Sequence, residues 1–315
     1  ISEILEPLGL SVEDDALVLI PEDMGAIRSI PPKRWVSEGF DNIAISPLGP
    51  ERIPEHSTVN TSVRLLPVGS DEGGLLLDVP WVVKSDQGDS GTLKNSLPKI
   101  VKSNPSDGDL LVIGENELST FPDNISGISG IVLDLQMMPP MNDAEIESIL
   151  VSLSSQIDDN CLIFLRDGVD RVEGLFRLIV DLDLDGAVVG IATAGGSRAS
   201  ACLPRIGLSS RAMGFESQKR IVAIEIDSQP TAEDMIVTRA SGCSFIIGPV
   251  GQEGGEESIR SKLIPELVGL MKESGISSLE TVGRRALRAK DMETAAISGL
   301  RLVGFERPLP MWLGN

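Results

Sequence analysis

The sequence predicts an α/β protein with a parallel sheet, closed as a (β/α)8 TIM barrel or open and doubly wound, and three observations carry that prediction. Short apolar runs recur along the chain, helical periodicity falls between several of them, and one run, Ala187–Ala192, leads into the turn Gly195-Gly196-Ser197. Strands buried on both faces read as continuous Val, Ile, Leu and Ala. Their alternation with helices implies right-handed βαβ units and a parallel sheet. In such sheets ligands lie beyond the carboxyl ends of the strands, where a glycine turn lets them approach the backbone. A closed barrel and an open doubly wound sheet both satisfy this alternation.

The N-terminal part has a different texture. Prolines at positions 7, 21, 31, 32, 47, 50, 54 and 67 break it into short pieces, of which Ala16–Ile20 and Thr61–Leu66 read as brief strands. Residues 1–74 are therefore expected to form an N-terminal arm, ending at Gly69-Ser70-Asp71-Glu72-Gly73-Gly74, and residues 75–315 the barrel domain. Strands are predicted at Leu76–Val83, Leu110–Ile113, Ile131–Leu135, Cys161–Leu165, Ala187–Ala192, Ile221–Ile226 and Phe245–Val250. A helix over Asp143–Leu153 follows from the cap-type residues Asn142 and Asp143 and from Ile146, Ile149, Leu150 and Leu153 on one face. Leu175, Leu178, Ile179 and Leu182 place a second over Val172–Leu182. An eighth strand is not evident, and the span is short for a fold that usually takes about 250 residues. A shortened or incomplete barrel therefore stays open beside a full (β/α)8 one.

Composition excludes several function classes. The net charge of −20 argues against nucleic-acid binding, which needs clustered Lys and Arg. The cluster Arg284, Arg285, Arg288 and Lys290 is expected to cap or solvate a helix. Cys161, Cys202 and Cys243 form no close ligand spacing, and Cys161 and Cys243 read as small core hydrophobes. A single histidine, His56, leaves almost no material for a Ser-His-Asp triad or a multi-histidine metal site, and tyrosine is absent. No apolar run is long enough to span a bilayer, and the start Ile-Ser-Glu-Ile-Leu-Glu has no signal-peptide character. A cytoplasmic protein acting on a small-molecule substrate is the expectation. The apolar tail Pro308-Leu309-Pro310-Met311-Trp312-Leu313 would pack either on the barrel or on a neighbouring subunit, in a homo-oligomer or on a partner chain.

The C-terminal stretch Leu279–Leu300, with Asp291-Met292-Glu293-Thr294-Ala295-Ala296-Ile297-Ser298-Gly299 at its centre, reads as a short helix, a break near Asp291 and a second helix. It resembles the end of the glutamate synthase-like family of FMN-binding barrels, in its stand-alone archaeal-type form. Asp15–Pro21 is similar to that family's first strand, and Val59–Val63 to the segment before its first barrel strand, here Leu77–Val83. The resemblance implies an FMN site. Gly195, Gly196, Ser197 and Gly248 would hold the phosphate, since backbone N–H groups in a glycine turn make an anion seat. Ser85, Gln87, Gln136 and Arg166 would line the flavin ring. Gln136 and Arg166 stand where the family has lysines, and Asp227-Ser228-Gln229-Pro230-Thr231 stands where it has a glycine pair. No iron–sulfur cluster is expected, because the cysteines lack the spacing.

The implied function is that of an FMN-dependent oxidoreductase of glutamate biosynthesis, transferring hydride to an imine such as 2-iminoglutarate. The departures support a different class, a non-catalytic barrel homologue serving as a binding or regulatory subunit. A third reading has the surviving glycines bind another phosphorylated metabolite. Arg198, Arg205 and Arg211, after the glycine turn, are candidates to meet a substrate carboxylate, or plain exposed helix arginines.

Overall fold

The computed structural model describes residues 10–11, 20–21, 43–45, 52–85, 97–118, 121, 127–191, 199–251 and 255–304. Eight parallel strands close a barrel: β1 (Trp81–Lys84), β2 (Lys99–Val101), β3 (Leu110–Ile113), β4 (Gly130–Asp134), β5 (Leu162–Gly168), β6 (Gly186–Gly190), β7 (Ile221–Glu225) and β8 (Phe245–Gly248). Each strand pairs with the next in sequence, and β8 closes on β1 with Ile246 opposite Trp81 and Gly248 opposite Val83. The (β/α)8 barrel is therefore closed and complete in its strands, which decides between the full barrel and the shortened or incomplete one that the sequence left open. The strand without a sequence signal is β2. Its three residues, between Pro98 and Lys102, are too few to establish a period.

A second difference lies at the first apolar run. Leu76–Val83 is two elements: Leu75–Leu77 pairs antiparallel with Val63–Leu65, and after Asp78-Val79-Pro80 the chain enters β1. A boundary at residue 74 thus falls within this hairpin. Val63, Leu65, Leu75 and Leu77 are buried in one cluster with the inward residues of the barrel, among them Phe164 and Phe245. Those two rings meet edge to face at 6.4 Å. The hairpin closes the N-terminal end of the barrel and makes its lumen a packed core rather than a channel.

Helices follow the strands from β3 onward among the described residues: α1 (Glu115–Leu118), α2 (Asp143–Ser154), α3 (Val172–Asp181), α4 (Ala199–Ala212), α5 (Ala232–Ser241), α6 (Gly255–Ser274) and α7 (Met292–Ser298). Two of them start where the sequence places them. Asn142 caps α2 in a reciprocal box with Glu145, and Leu175, Phe176, Leu178 and Ile179 bury one face of α3. Outward residues of the strands, such as Ile131, Leu133, Val189 and Ile224, pack with these helices in a second apolar layer. Cys161 and Cys243 are buried, and burial pushes the Cys243 thiol up to about 12, which makes it inert.

The C-terminal stretch departs from the two-helix expectation in its first half. Arg284–Ala286 is a single 3-10 turn, and Leu287–Ala289 is a strand that pairs antiparallel with Ile43–Ile45. Leu287 and Ala289 are buried while Arg288 is half-exposed, an alternation of period two that a 3.6-residue reading overlooks. Asp291 then caps α7 through the Thr294 amide, and Gly299 ends it at φ 63. Of the early segment, Ile20–Pro21 pairs antiparallel with Leu10–Ser11, and Thr61–Leu66 contains the strand Val63–Leu65. The rest of Ala16–Ile20 and the tail Pro308–Leu313 lie outside the described residues.

A charged layer at the barrel mouth

Successive side chains of a strand alternate between faces, so residues two apart share the lumen. Val82, Val132, Phe164 and Ala223 face inward in the core cluster. Two residues further on, at the carboxyl ends of β1, β4, β5 and β7, come Lys84, Asp134, Arg166 and Glu225. The strands thus cap an apolar lumen with a charged layer, at the end where barrels carry their sites.

These four groups are joined across the mouth. Arg166 Nε donates to Glu225 Oε2 at 2.6 Å, and Arg166 Nη1 donates to Asp134 Oδ2. Lys84 Nζ pairs with Glu225 Oε1 at 2.6 Å and reaches Asp227 Oδ1 at 3.4 Å. Asp134 also accepts the Gln136 amide at 3.0 Å, which starts the 3-10 turn Leu135–Met137. Burial alone would raise the Glu225 carboxyl, but the hydrogen bonds from Lys84 and Arg166 outweigh it and hold the group below its usual value. Burial likewise opposes the charge on Arg166 and Lys84, and their carboxylate partners overcome it and raise both. Lys84, Arg166, Asp134 and Glu225 together are charge-neutral.

Of the residues singled out by sequence, Arg166 lies in this layer. Gln136 is exposed on the turn after β4, with its Nε2 at 2.9 Å from the point a Cβ on Gly168 would occupy. Ser85 follows Lys84, and its amide donates to Ile100 O at 3.1 Å. Gln87, Gly195, Gly196 and Ser197 lie outside the described residues. Gly248 ends β8, but a Cβ on it would meet Pro230 Cδ and Ser228 O, each at 2.9 Å. The chain itself covers that face of Gly248.

Backbone donors bear directly on a phosphate cup between β7 and β8. Pro249, next after Gly248, has no N–H, and the Gly251 N–H is committed to Gln229 Oε1 at 2.7 Å. On the β7 side, Asp227 brings a carboxylate whose side chain is 91% exposed. The described part of this rim does not fit a flavin phosphate. Gly190 at the end of β6 is the contrasting position: among the described residues a Cβ there would meet only Asp167 O at 3.9 Å, at a point opposite Glu225 in the sheet register.

Lys84, Asp134 and Glu225 were missed by sequence reasoning, although a signal existed. Each stands two residues beyond an inward apolar residue, at a strand end, on the lumen face. Arg211, a candidate to meet a substrate carboxylate or else a plain helix arginine, lies at the far end of α4, on the N-terminal side of the barrel. Arg284 donates to Ser298 O at the end of α7 and to Pro204 O at 3.2 Å, and so caps a helix as the sequence suggested. Among the described residues no group of three His, Cys, Asp or Glu is disposed to hold a metal ion, and no helix is long and apolar enough to cross a membrane.

No protein-family model matches the chain, and no curated protein matches it. Among solved structures, a mandelate racemase/muconate lactonizing enzyme from a marine actinobacterium, in complex with magnesium, is similar at 11% identity with a TM-score of 0.32. The likeness covers 63% of this chain and 46% of that one, so the chain spans under half the length of that enzyme. Such a likeness bears on neither activity nor metal.

Proposed function

We propose that this barrel, of glutamate synthase-like descent, works as a binding or regulatory subunit rather than as a flavin oxidoreductase. The observation that carries this reading is the closed ion-pair layer Asp134–Arg166–Glu225–Lys84, which occupies the lumen side of the mouth and leaves both of its cations partnered. A buried pair loses several kcal/mol when one partner is removed, so a ligand that needed Arg166 would first have to compensate Glu225 and Asp134. The covered face of Gly248 and the donor-poor stretch Gly248-Pro249 support the same reading.

A second reading, FMN-dependent hydride transfer to an imine, is favoured by one observation. Arg166 and Gln136 both lie at the mouth, where among the described residues little crowds Gly190. The purified 315-residue chain separates the two. The binding-subunit reading expects a colourless protein whose thermal midpoint is unchanged by excess FMN. A yellow protein, or a midpoint that rises with FMN, would establish the flavin reading instead.

A further inference from the structure

At the opposite end of the barrel lies a cavity of about 720 Å³, within the usual size range of small-molecule sites. It opens where β7 and β8 begin, between the ends of α4 and α5 and the hairpin strand Val63–Leu65. Ile221 at its wall and Glu225 in the charged layer are the two ends of β7, roughly 13 Å apart at the rise of a strand. The two places are therefore distinct.

The charge of this cavity runs against that of the chain. In a protein of net charge −20, its wall carries five cationic side chains, from Arg64, Arg211, Lys219, Arg220 and Arg239, against two carboxylates. Those carboxylates, Glu216 and Glu280, are exposed to solvent, which screens them, as are Arg64 and Lys219, of which Lys219 faces Asp71 at 4.0 Å. The buried and half-buried wall charges are Arg211, Arg220 and Arg239. Arg220 is accounted for structurally: it bonds Leu184 O, Gln218 and Asp183 and is buried. Arg211 and Arg239 are different.

Arg211 is half-buried and has no hydrogen-bond or ion-pair partner among the described residues. Arg239 donates Nε to Leu279 O at 3.0 Å and Nη1 to Cys243 O and Ser244 O, all uncharged carbonyls, and its Nη2 has no described acceptor. Arg284 nearby bonds only carbonyls, and after burial, Arg211 is what lowers its affinity for a proton. Part of this positive charge offsets the carboxyl-end dipoles of α4 and α5. That leaves unbalanced a guanidinium with no acceptor among the described residues. Charge away from water is normally paired, so such a half-buried guanidinium beside a second incompletely used one marks a place for an external anion.

We infer that the cavity at the N-terminal end of the barrel binds a small phosphate-bearing ligand, with Arg211 and Arg239 on the phosphate and Val63, Leu65, Phe215 and Val282 around its body. A dianion balances both guanidinium groups at once, and the planar forks suit phosphate oxygens. At this face of a barrel, remote from the mouth, such a ligand would act on stability or regulation rather than on chemistry.

Thermal melting of the full chain in inorganic phosphate, against chloride of equal ionic strength, tests the inference. Phosphate at about 100-fold above its Kd should raise the wild-type midpoint by about 3–6 °C. Arg211→Gln should weaken phosphate binding by roughly 10- to 100-fold. Without phosphate the same variant should melt only slightly below wild type, since the side chain makes no described hydrogen bond and its loss removes only a charge from the last turn of α4. No rise with phosphate, an equal rise with chloride, or a rise that survives in R211Q would overturn the inference. The measurement is independent of whether the mouth takes a flavin.

Discussion

Glu225 shows how much a single side chain can organise. It is 7% exposed and accepts from both Lys84 and Arg166, so its removal leaves two cations with one buried carboxylate between them. Lys84 is 42% exposed and Arg166 20%, and water moderates the loss. Glu225→Gln should then destabilise the protein by about 1–3 kcal/mol at neutral pH, measured by urea unfolding. The pH dependence has a definite sign. The folded-state pKa of Glu225 lies below the 4.5 of an unperturbed glutamate. Its ionised form therefore stabilises the fold above pH 4.5, and the contribution fades as pH falls from there through the folded value. Wild type should lose stability over that acid range more steeply than E225Q; parallel profiles would show that the layer does not couple to folding.

Among the elements, α4 and α5 meet at a point with no spare room. A Cβ on Gly207 would sit 1.8 Å from Ser241 O, a backbone atom that cannot turn aside. At the other end of α5, Thr231 accepts the Asp234 amide and Asp234 accepts the Thr231 amide, a capping box. The two sites rank differently. Thr231→Ala should cost about 1 kcal/mol, the usual value of a cap, whereas Gly207→Ala must push two helices apart and should cost about 2–3 kcal/mol or more. Chemical denaturation of both variants checks the order, and an equal cost would mean that the helices shift freely. The Thr-x-x-Asp pattern of the cap is local in the chain, although Asp227–Thr231 entered the sequence reading only as the place of a glycine pair, while the crossing has no local signal, because nothing near Gly207 in the chain announces Ser241.

For the whole molecule, the hairpin Val63–Leu65/Leu75–Leu77 decides where the domain begins. Its buried side chains belong to the same cluster as the barrel lumen, so hairpin and barrel should unfold together. Leu77, 1% exposed, fills the closed end, and Leu77→Ala should cost about 2–5 kcal/mol. Calorimetry of that variant should still show one transition at a lower midpoint, and a separate early transition would mean that the hairpin is an independent arm. Proline-rich texture alone suggested such an arm, since composition registers the break in regular structure but not what the broken pieces pack against.

The sequence by itself determined the class of fold and most of its elements. Seven of the eight barrel strands and the helices α2 and α3 follow from hydrophobic period and cap residues, properties that neighbours in the chain share. Only the tertiary structure decided the closure through the three-residue β2, the hairpin in the closed end, and the identity of the charged layer. Arg166 and Glu225 are 59 residues apart in the chain, and Arg166 and Asp134 are 32 apart. Strand period can say that each faces the lumen. Which charges then meet depends on the order of strands around the barrel, a relation between distant segments that no local pattern encodes.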